Sequence, residues 1–239
     1  MLNKTFIIAE IGLSHEGSVG IAKSFIDETV KAGADAVKFQ MHMPNYESSK
    51  FEQFRKKNIF IQDRNRFDYW KRTSFTEQQW KFLREYCKKK KINFFCSPFS
   101  LEAVRLLKKI KVDAWKIASG EFNNMMMLDE IIKSNKKKII LSNGLSYEKE
   151  IKEIIFYLKK KKQSIALLEC NTAYPTKIEN AGHNLMRYFR DKYKIETGLS
   201  DHTGNINSLI AAISYEANYI EAHITFNKNF FGADTSSSI

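Results

Sequence analysis

A chain of 239 residues with 43% apolar content, 18 Phe and 10 Tyr can fill a large core, and only 3 Pro and 10 Gly argue against disorder. No apolar run approaches the roughly 20 residues a membrane span needs, and the run after Met1 is too short for a secretory signal, so a soluble cytoplasmic protein without a membrane partner is expected. The net charge of +12 raises nucleic-acid binding, but the basic runs at 88–91, 136–138 and 159–162 fall where helical patterns end and strand patterns begin. Cations there complement helix C-termini, so the charge reads as solvated and stabilising, with no nucleic-acid partner.

In chain order, apolar runs near 6–12, 36–41, 92–97, 114–119, 138–143, 165–171, 195–200 and 219–226 read as strands, with amphipathic helical stretches between most of them. Such alternation gives a parallel sheet with right-handed crossovers. Eight strands predict an α/β fold of the TIM (β/α)8-type, one domain over 1–239; a doubly wound open sheet is the alternative. One connection breaks the rhythm. Residues 42–75 carry an aromatic and charged stretch from Arg64 to Trp70, expected to be either a lid over a site or packing against the barrel rim.

Five of the strand runs end on ionisable residues, which in a parallel barrel gather at one mouth. The first ends on Glu10, the second on Lys38 and Gln40, the fourth on Lys116, Ser119 and Glu121, the seventh on Ser200 and His202, and the eighth on Glu221 and His223. A lysine late in an apolar strand needs an anion, so Lys38 and Lys116 suggest an acidic substrate, with hydroxyl donors from Ser97, Ser119 and Ser200. Lysines reaching out to solvent, or one lysine forming a Schiff base as in covalent aldolases, are the alternatives. Neighbouring strands lie about 4.8 Å apart, so His202 and His223 can converge on one metal ion, each beside an acid, Asp201 or Glu221, able to orient it. Barrel closure brings Glu10 near His223 as a general acid/base or metal-linked group. His183 is expected to be structural. Cys87, Cys96 and Cys170 lack metal-type spacing and read as reduced structural thiols.

The run Ile8-Ala9-Glu10-Ile11-Gly12 with His15 and Gly17, then Gly33 to Gln40, Ser97-Pro98-Phe99, Lys116 to Glu121, Tyr174-Pro175, Gly198 to His202 and Glu221-Ala222-His223 resembles the N-acetylneuraminate (sialic acid) synthase family, in correct order from about residue 6 onward. The resemblance implies a TIM barrel that condenses phosphoenolpyruvate with an N-acetylated amino sugar, giving a nonulosonic acid and phosphate. It implies that Lys38, Ser97, Lys116, Ser119 and Ser200 hold phosphoenolpyruvate and that His202 and His223 hold manganese or magnesium. Glu10 would manage protons, with Lys38, Lys116 and Glu121 completing the catalytic set. Gln40, Glu121, Tyr174 and Asp234 would face the sugar, while Thr172 stands where the family often has an Asn. The sugar is N-acetylmannosamine or a diacetamido-trideoxy hexose. Ser14-His15-Glu16-Gly17, Gly232-Ala233-Asp234 and Ala222 depart from the family pattern near the sugar side.

The resemblance implies that the chain would continue through a last helix and, as in many members, a small C-terminal antifreeze-like domain whose arginine reaches the sugar site of a partner subunit, with a homodimer expected of the full-length form. The polar segment 227–239, with Gly232 and Ser236-Ser237-Ser238, holds neither. The expectation is therefore a fragment, or a barrel completed by a partner, that is poorly stable, aggregation-prone and nearly inactive alone.

Overall fold

A computed structural model describes residues 4–54, 62–134 and 137–239. In chain order the elements are β1 (Phe6–Gly12), α1 (Val19–Lys31), β2 (Ala36–Met41), α2 (Pro44–Glu47), α3 (Arg66–Thr73), α4 (Glu77–Lys90), β3 (Asn93–Pro98), α5 (Leu101–Ile110), β4 (Ala114–Ile117), α6 (Met125–Ile132), β5 (Ile139–Ser142), α7 (Glu148–Lys160), β6 (Ile165–Cys170), α8 (His183–Tyr193), β7 (Glu196–Asp201), α9 (Ile206–Ser214) and β8 (Tyr219–His223). The strands are parallel and pair in sequence order, and β8 returns to β1 to close the barrel. The fold is a TIM barrel, as the sequence predicts, and the open-sheet alternative is excluded by that closure.

Local chemistry sets the helix ends. Ser18, Asn65, Thr76, Ser100, Asn124 and Asn205 each accept a hydrogen bond from a first-turn backbone N–H, and Thr76 with Gln79 forms a capping box. Lysines fill the last turns of α4 and α7, as the basic runs predict, and Lys91 and Lys162 adopt left-handed backbone angles in the turns that follow. Lys136 lies outside the described residues.

Period-two alternation along the strands builds the interior. Ile8, Ala36, Phe95, Ala114, Ile140, Ala166, Leu168 and Tyr219 make one apolar cluster. Two residues further along their strands stand Glu10, Lys38, Ser97, Lys116, Ser142, Cys170 and Glu221, so each strand that starts the inner core also lifts a polar side chain above it. Outward-facing residues such as Val37, Phe39, Trp115, Ile117, Leu141 and Leu167 pack against the helices in the main core. Gly198 has no room for a side chain: a Cβ would sit 2.0 Å from the Tyr219 carbonyl oxygen. Its absence lets β7 and β8 approach.

Two segments cover the mouth. In the 42–75 connection, residues 55–61 lie outside the described residues, and the rest forms α2 and α3. Tyr69 donates to Glu16 Oε1 at 3.0 Å, Arg72 Nη2 meets Glu16 Oε2 at 2.9 Å, and Ser74 donates to the His42 carbonyl at 3.0 Å. These contacts seat α3 on the rim. The second segment follows β8, which ends at His223 rather than near Phe226. Residues 227–239 form no α-helix but fold back, with a short 3-10 turn at Thr235–Ser237 and Ile239 N–H donating to the His223 carbonyl at 2.8 Å. On the outer wall, Ile206, Ile210 and Ile213 of α9 are exposed. Among the described residues no helix is long and apolar enough to cross a membrane.

Candidate active site

Directly above the apolar layer lies a buried charge cluster. Lys38 contacts Glu10 and stands 3.7 Å from Glu221, while Lys116 stands 3.2 Å from Glu221. Lys38 donates to Ser97 Oγ at 3.3 Å, Lys116 to Ser142 Oγ at 2.8 Å, and Ser200 to Glu221 Oε1 at 3.0 Å. Both lysines are buried, which removes the solvent-reaching alternative. The anions the lysines require are already present as Glu10 and Glu221, so their burial does not by itself call for an acidic substrate. Glu221 is also misassigned by the sequence: it bridges the lysines instead of orienting His223.

Burial pushes Glu10 up to about 7 against the pull of Lys38. Burial would also raise Glu221, but Lys116 and Lys38 outweigh it and hold the carboxyl at about 2. Burial disfavours the Lys38 ammonium as well, yet Glu10 and Glu221 take it to about 12, whereas Lys116, with less carboxylate around it, is lowered. Burial thus sets Glu10 apart as the raised carboxyl of the cluster, while the lysines hold Glu221 down.

The histidine pair stands beside this cluster, its ring centroids 5.4 Å apart. His202 Nδ1 lies 2.6 Å from the Asn171 carbonyl oxygen, which can only accept, so Nδ1 carries the hydrogen and Nε2 presents a lone pair, now 3.0 Å from the Tyr174 hydroxyl. His223 Nδ1 is buried without a hydrogen-bond partner, 3.8 Å from Asp234 Oδ2, and burial brings this imidazole down to about 4. Neither neighbouring acid acts as the sequence suggests. Asp201 accepts from Thr203 and Ser208 at 2.9 and 2.7 Å, and it is Asp234 that accompanies His223.

Burial would lower His202, but Cys170 and the Asn171 carbonyl raise it above the ordinary imidazole value, whereas His223 is lowered and keeps an orphaned nitrogen; the pair offers ring nitrogens that could hold a divalent ion. Gly12 adds room: a Cβ there would fill a space bounded by Glu10 Oε1, Asp234 Oδ2 and His223 Cε1, at 3.2, 3.3 and 3.5 Å. Among the described residues no group of three or more His, Cys, Asp or Glu side chains could hold a metal ion, so an ion held by this pair would have to take its remaining ligands from water or substrate.

Lys38, Lys116, Glu221, His202 and His223 open into one cavity of about 560 Å³. Gln40, Ser119, Glu121, Thr172, Tyr174, Ser200 and Asp234 also line it, as predicted, with Trp70, Phe99 and Leu145 as an apolar wall. Glu121 is half-buried at the mouth, raised by that burial and bonded to Asn124 at 2.8 Å. Two predicted residues do not line the cavity. Ser97 is sealed beneath Lys38, and Glu10 lies behind Lys38 and Gln40. Ser142 and Cys170 do line it and were missed as site residues. Ser142 follows the same two-residue rule after Ile140 that singles out Ser97, so the pattern could have found it. Cys170, read as merely structural, accepts from Ser119 at 3.4 Å and lies 3.8 Å from His202 Nδ1. His183 is structural, its Nε2 2.9 Å from the Ser208 carbonyl. His15 is buried against Phe75 and kept neutral, down to about 3.

Behind the cavity wall, burial raises Glu169 to about 7 from an ordinary 4.5, while Asn143 Nδ2 donates to it at 2.8 Å and Asn143 Oδ1 accepts from Cys170 N–H at 3.1 Å. Between those two pH values the folded chain holds a proton that the unfolded chain releases, so stability falls as pH rises. Glu169→Gln, which keeps the acceptor for Asn143, is expected to match the native protein at pH 5 and to exceed it by about 2 kcal/mol at pH 8. Urea unfolding at both pH values checks this, and an equal difference at the two would contradict it.

The pattern of the NeuB family matches residues 25–239. N,N'-diacetyllegionaminic acid synthase of Campylobacter jejuni is 36% identical over 255 residues, covering 100% of this chain and 72% of that protein. N-acetylneuraminate-9-phosphate synthase of Mus musculus is 28% identical, covering 98% of this chain and 66% of that protein. The solved N-acetylneuraminic acid synthetase of Leptospira borgpetersenii, in complex with citrate, superimposes with a TM-score of 0.85 at 31% identity over 99% of this chain and 79% of its own. With this match over most of its length, on a closed barrel with a charged and histidine-bearing cavity, the chain belongs to the NeuB family and is a sialic-acid-synthase-like enzyme.

Proposed function

We propose that the cavity condenses phosphoenolpyruvate with an N-acetylated amino sugar to give a nonulosonic acid and phosphate. The observation that carries this is that two sets of groups line one cavity. Lys38 and Lys116, with the hydroxyls of Ser119, Ser142 and Ser200, make a set suited to a phosphate and a carboxylate. His202, His223, Asp234 and Tyr174 make a second set, suited to the sugar.

The methylene carbon of phosphoenolpyruvate attacks the open-chain sugar aldehyde, whose oxygen takes a proton and becomes a hydroxyl. Water adds to the resulting cationic carbon and gives up a proton, and phosphate leaves as its carbon–oxygen bond breaks. Glu10, raised by burial, supplies the first proton and recovers the second through the Lys38 ammonium, which hands one proton to the cavity as it takes one from Glu10. Lys116, fixed by Glu221 and Ser142, stabilises charge on the departing phosphate. A divalent ion, manganese or magnesium, held by His202 and His223 would supply Lewis-acid polarisation of the aldehyde. Burial lowers Lys116, but its ion pair with Glu221 and its hydrogen bond to Ser142 suit a clamp on an anion rather than a nucleophile, and borohydride should trap no adduct.

The favoured sugar is a 2,4-diacetamido-trideoxy hexose over N-acetylmannosamine. Trp70, Phe99 and Leu145 offer an apolar wall for the methyl of a 6-deoxy sugar and of a second acetamido group, and the legionaminic acid synthase relative is more similar than the N-acetylneuraminate-9-phosphate one. Phosphate release with manganese should show kcat/KM about tenfold or more higher for the diacetamido sugar, since a methyl-sized apolar difference is worth about 1–3 kcal/mol. A preference of that size for N-acetylmannosamine would overturn the assignment.

A further inference from the structure

His42 follows β2 and lies between two aromatic faces. Its ring centroid is 4.2 Å from Trp70, tilted by 8°, and 4.2 Å from Phe99, tilted by 18°. Stacking on both sides holds the imidazole in its own plane, so only its edges can interact. Within that plane Nδ1 is 2.7 Å from Glu47 Oε1 and Nε2 is 3.3 Å from Gln40 Oε1. Gln40 in turn donates from Nε2 to Glu10 Oε1 at 3.1 Å. Glu47, His42, Gln40 and Glu10 thus form a continuous hydrogen-bonded row from the rim to the buried charge cluster.

A glutamine amide can usually turn over with little change in shape. Here both ends of the amide are engaged: its oxygen faces His42 Nε2 and its NH2 group donates to Glu10, so turning it over would exchange both partners at once. One amide hydrogen is then used by Glu10, and the other remains for a ligand in the cavity that Gln40 lines.

We propose that His42 is a positioning residue that fixes the Gln40 amide, anchored by Glu47 and by the Trp70–Phe99 stack, so that Gln40 presents a donor to the sugar side of the cavity. Its kinetic consequence rests on the cavity being the condensation site proposed above; its structural consequence does not. His42→Phe keeps both stacks and removes both hydrogen bonds, whereas His42→Gln returns a donor near the position of Nε2.

The test reads Gln40 directly through the side-chain amide signals of 15N-labelled protein, assigned by their loss in Gln40→Ala. In the native protein the two Gln40 amide protons should be distinct and protected. In His42→Phe they should move to free-amide positions and exchange about tenfold or more faster, and His42→Gln should restore them. Turnover should fall about 10- to 100-fold in kcat for His42→Phe, with the phosphoenolpyruvate KM changed by no more than about twofold, and the loss should vanish in a Gln40→Ala background. Unchanged Gln40 signals in His42→Phe would overturn the proposal, as would a kcat loss of the same size without Gln40. If His42→Phe does not fold, Glu47→Gln should shift the same signals in the same direction by less, and unshifted signals there would also overturn it. Absence of turnover in the native protein with every sugar would count against the proposed reaction alone, because the amide signals still decide the role of His42.

Discussion

Replacing His202 or His223 with alanine is expected to lower metal-dependent turnover about a thousandfold while leaving phosphoenolpyruvate affinity within about threefold. The separation follows from the layout of the cavity. The two lysines and Ser200, which would grip phosphoenolpyruvate, are held by Glu10 and Glu221, not by the histidines. The proposed metal assignment rests on His202 Nδ1 facing the Asn171 carbonyl, which leaves Nε2 free of the backbone, and on burial, which brings His223 down to about 4. Chelation of the native protein should reproduce the alanine phenotype, and manganese should reverse chelation but not the substitutions. His183→Ala is the control, because His183 binds the Ser208 carbonyl away from the cavity. Full activity in His202→Ala would remove the metal assignment.

Lys116→Met is expected to weaken phosphoenolpyruvate binding roughly 10- to 150-fold, the equivalent of about 1.5–3 kcal/mol for a hydrogen bond to a charged group. The same substitution should destabilise the free protein by about 3–5 kcal/mol, since Glu221 loses its nearer cation in a buried site. A buried lysine without carboxylates would lose little stability on substitution, or gain some, and the pairing with Glu221 reverses that sign. Adding Glu221→Gln to Lys116→Met should recover much of the stability and none of the affinity. Calorimetric binding and urea unfolding on the two variants separate the effects, and unchanged affinity in Lys116→Met would remove Lys116 from the ligand site.

Much of the barrel was legible because short apolar strands alternate with amphipathic helices, and each observed strand lies within a few residues of its predicted range. Adjacency followed from closure: Glu10 is the register partner of His223, as the return of the eighth strand to the first requires. Side-chain direction was less legible. Glu221 and Asp201 each sit near a histidine in sequence, but strand pleat turns Glu221 inward to the lysines while Asp201 binds Thr203 and Ser208. Asp234 reaches His223 only because 227–239 folds back over the mouth, a long-range event with no local periodicity to announce it. The row through His42 was hidden for a similar reason, since its aromatic neighbours come from α3 and from the residue after β3.

The central claim is that this cavity joins phosphoenolpyruvate to an N-acetylated amino sugar with cleavage of the carbon–oxygen bond to phosphate. The most direct measurement uses phosphoenolpyruvate labelled with 18O in its bridging oxygen, incubated with the protein, manganese and either N-acetylmannosamine or a 2,4-diacetamido-trideoxy hexose, followed by mass spectrometry of phosphate and product. Sugar-dependent release of 18O-labelled phosphate, together with a nine-carbon acid lacking the label, is the predicted result. No phosphate with any sugar from a protein shown to be folded, or phosphate released without the label, would contradict it.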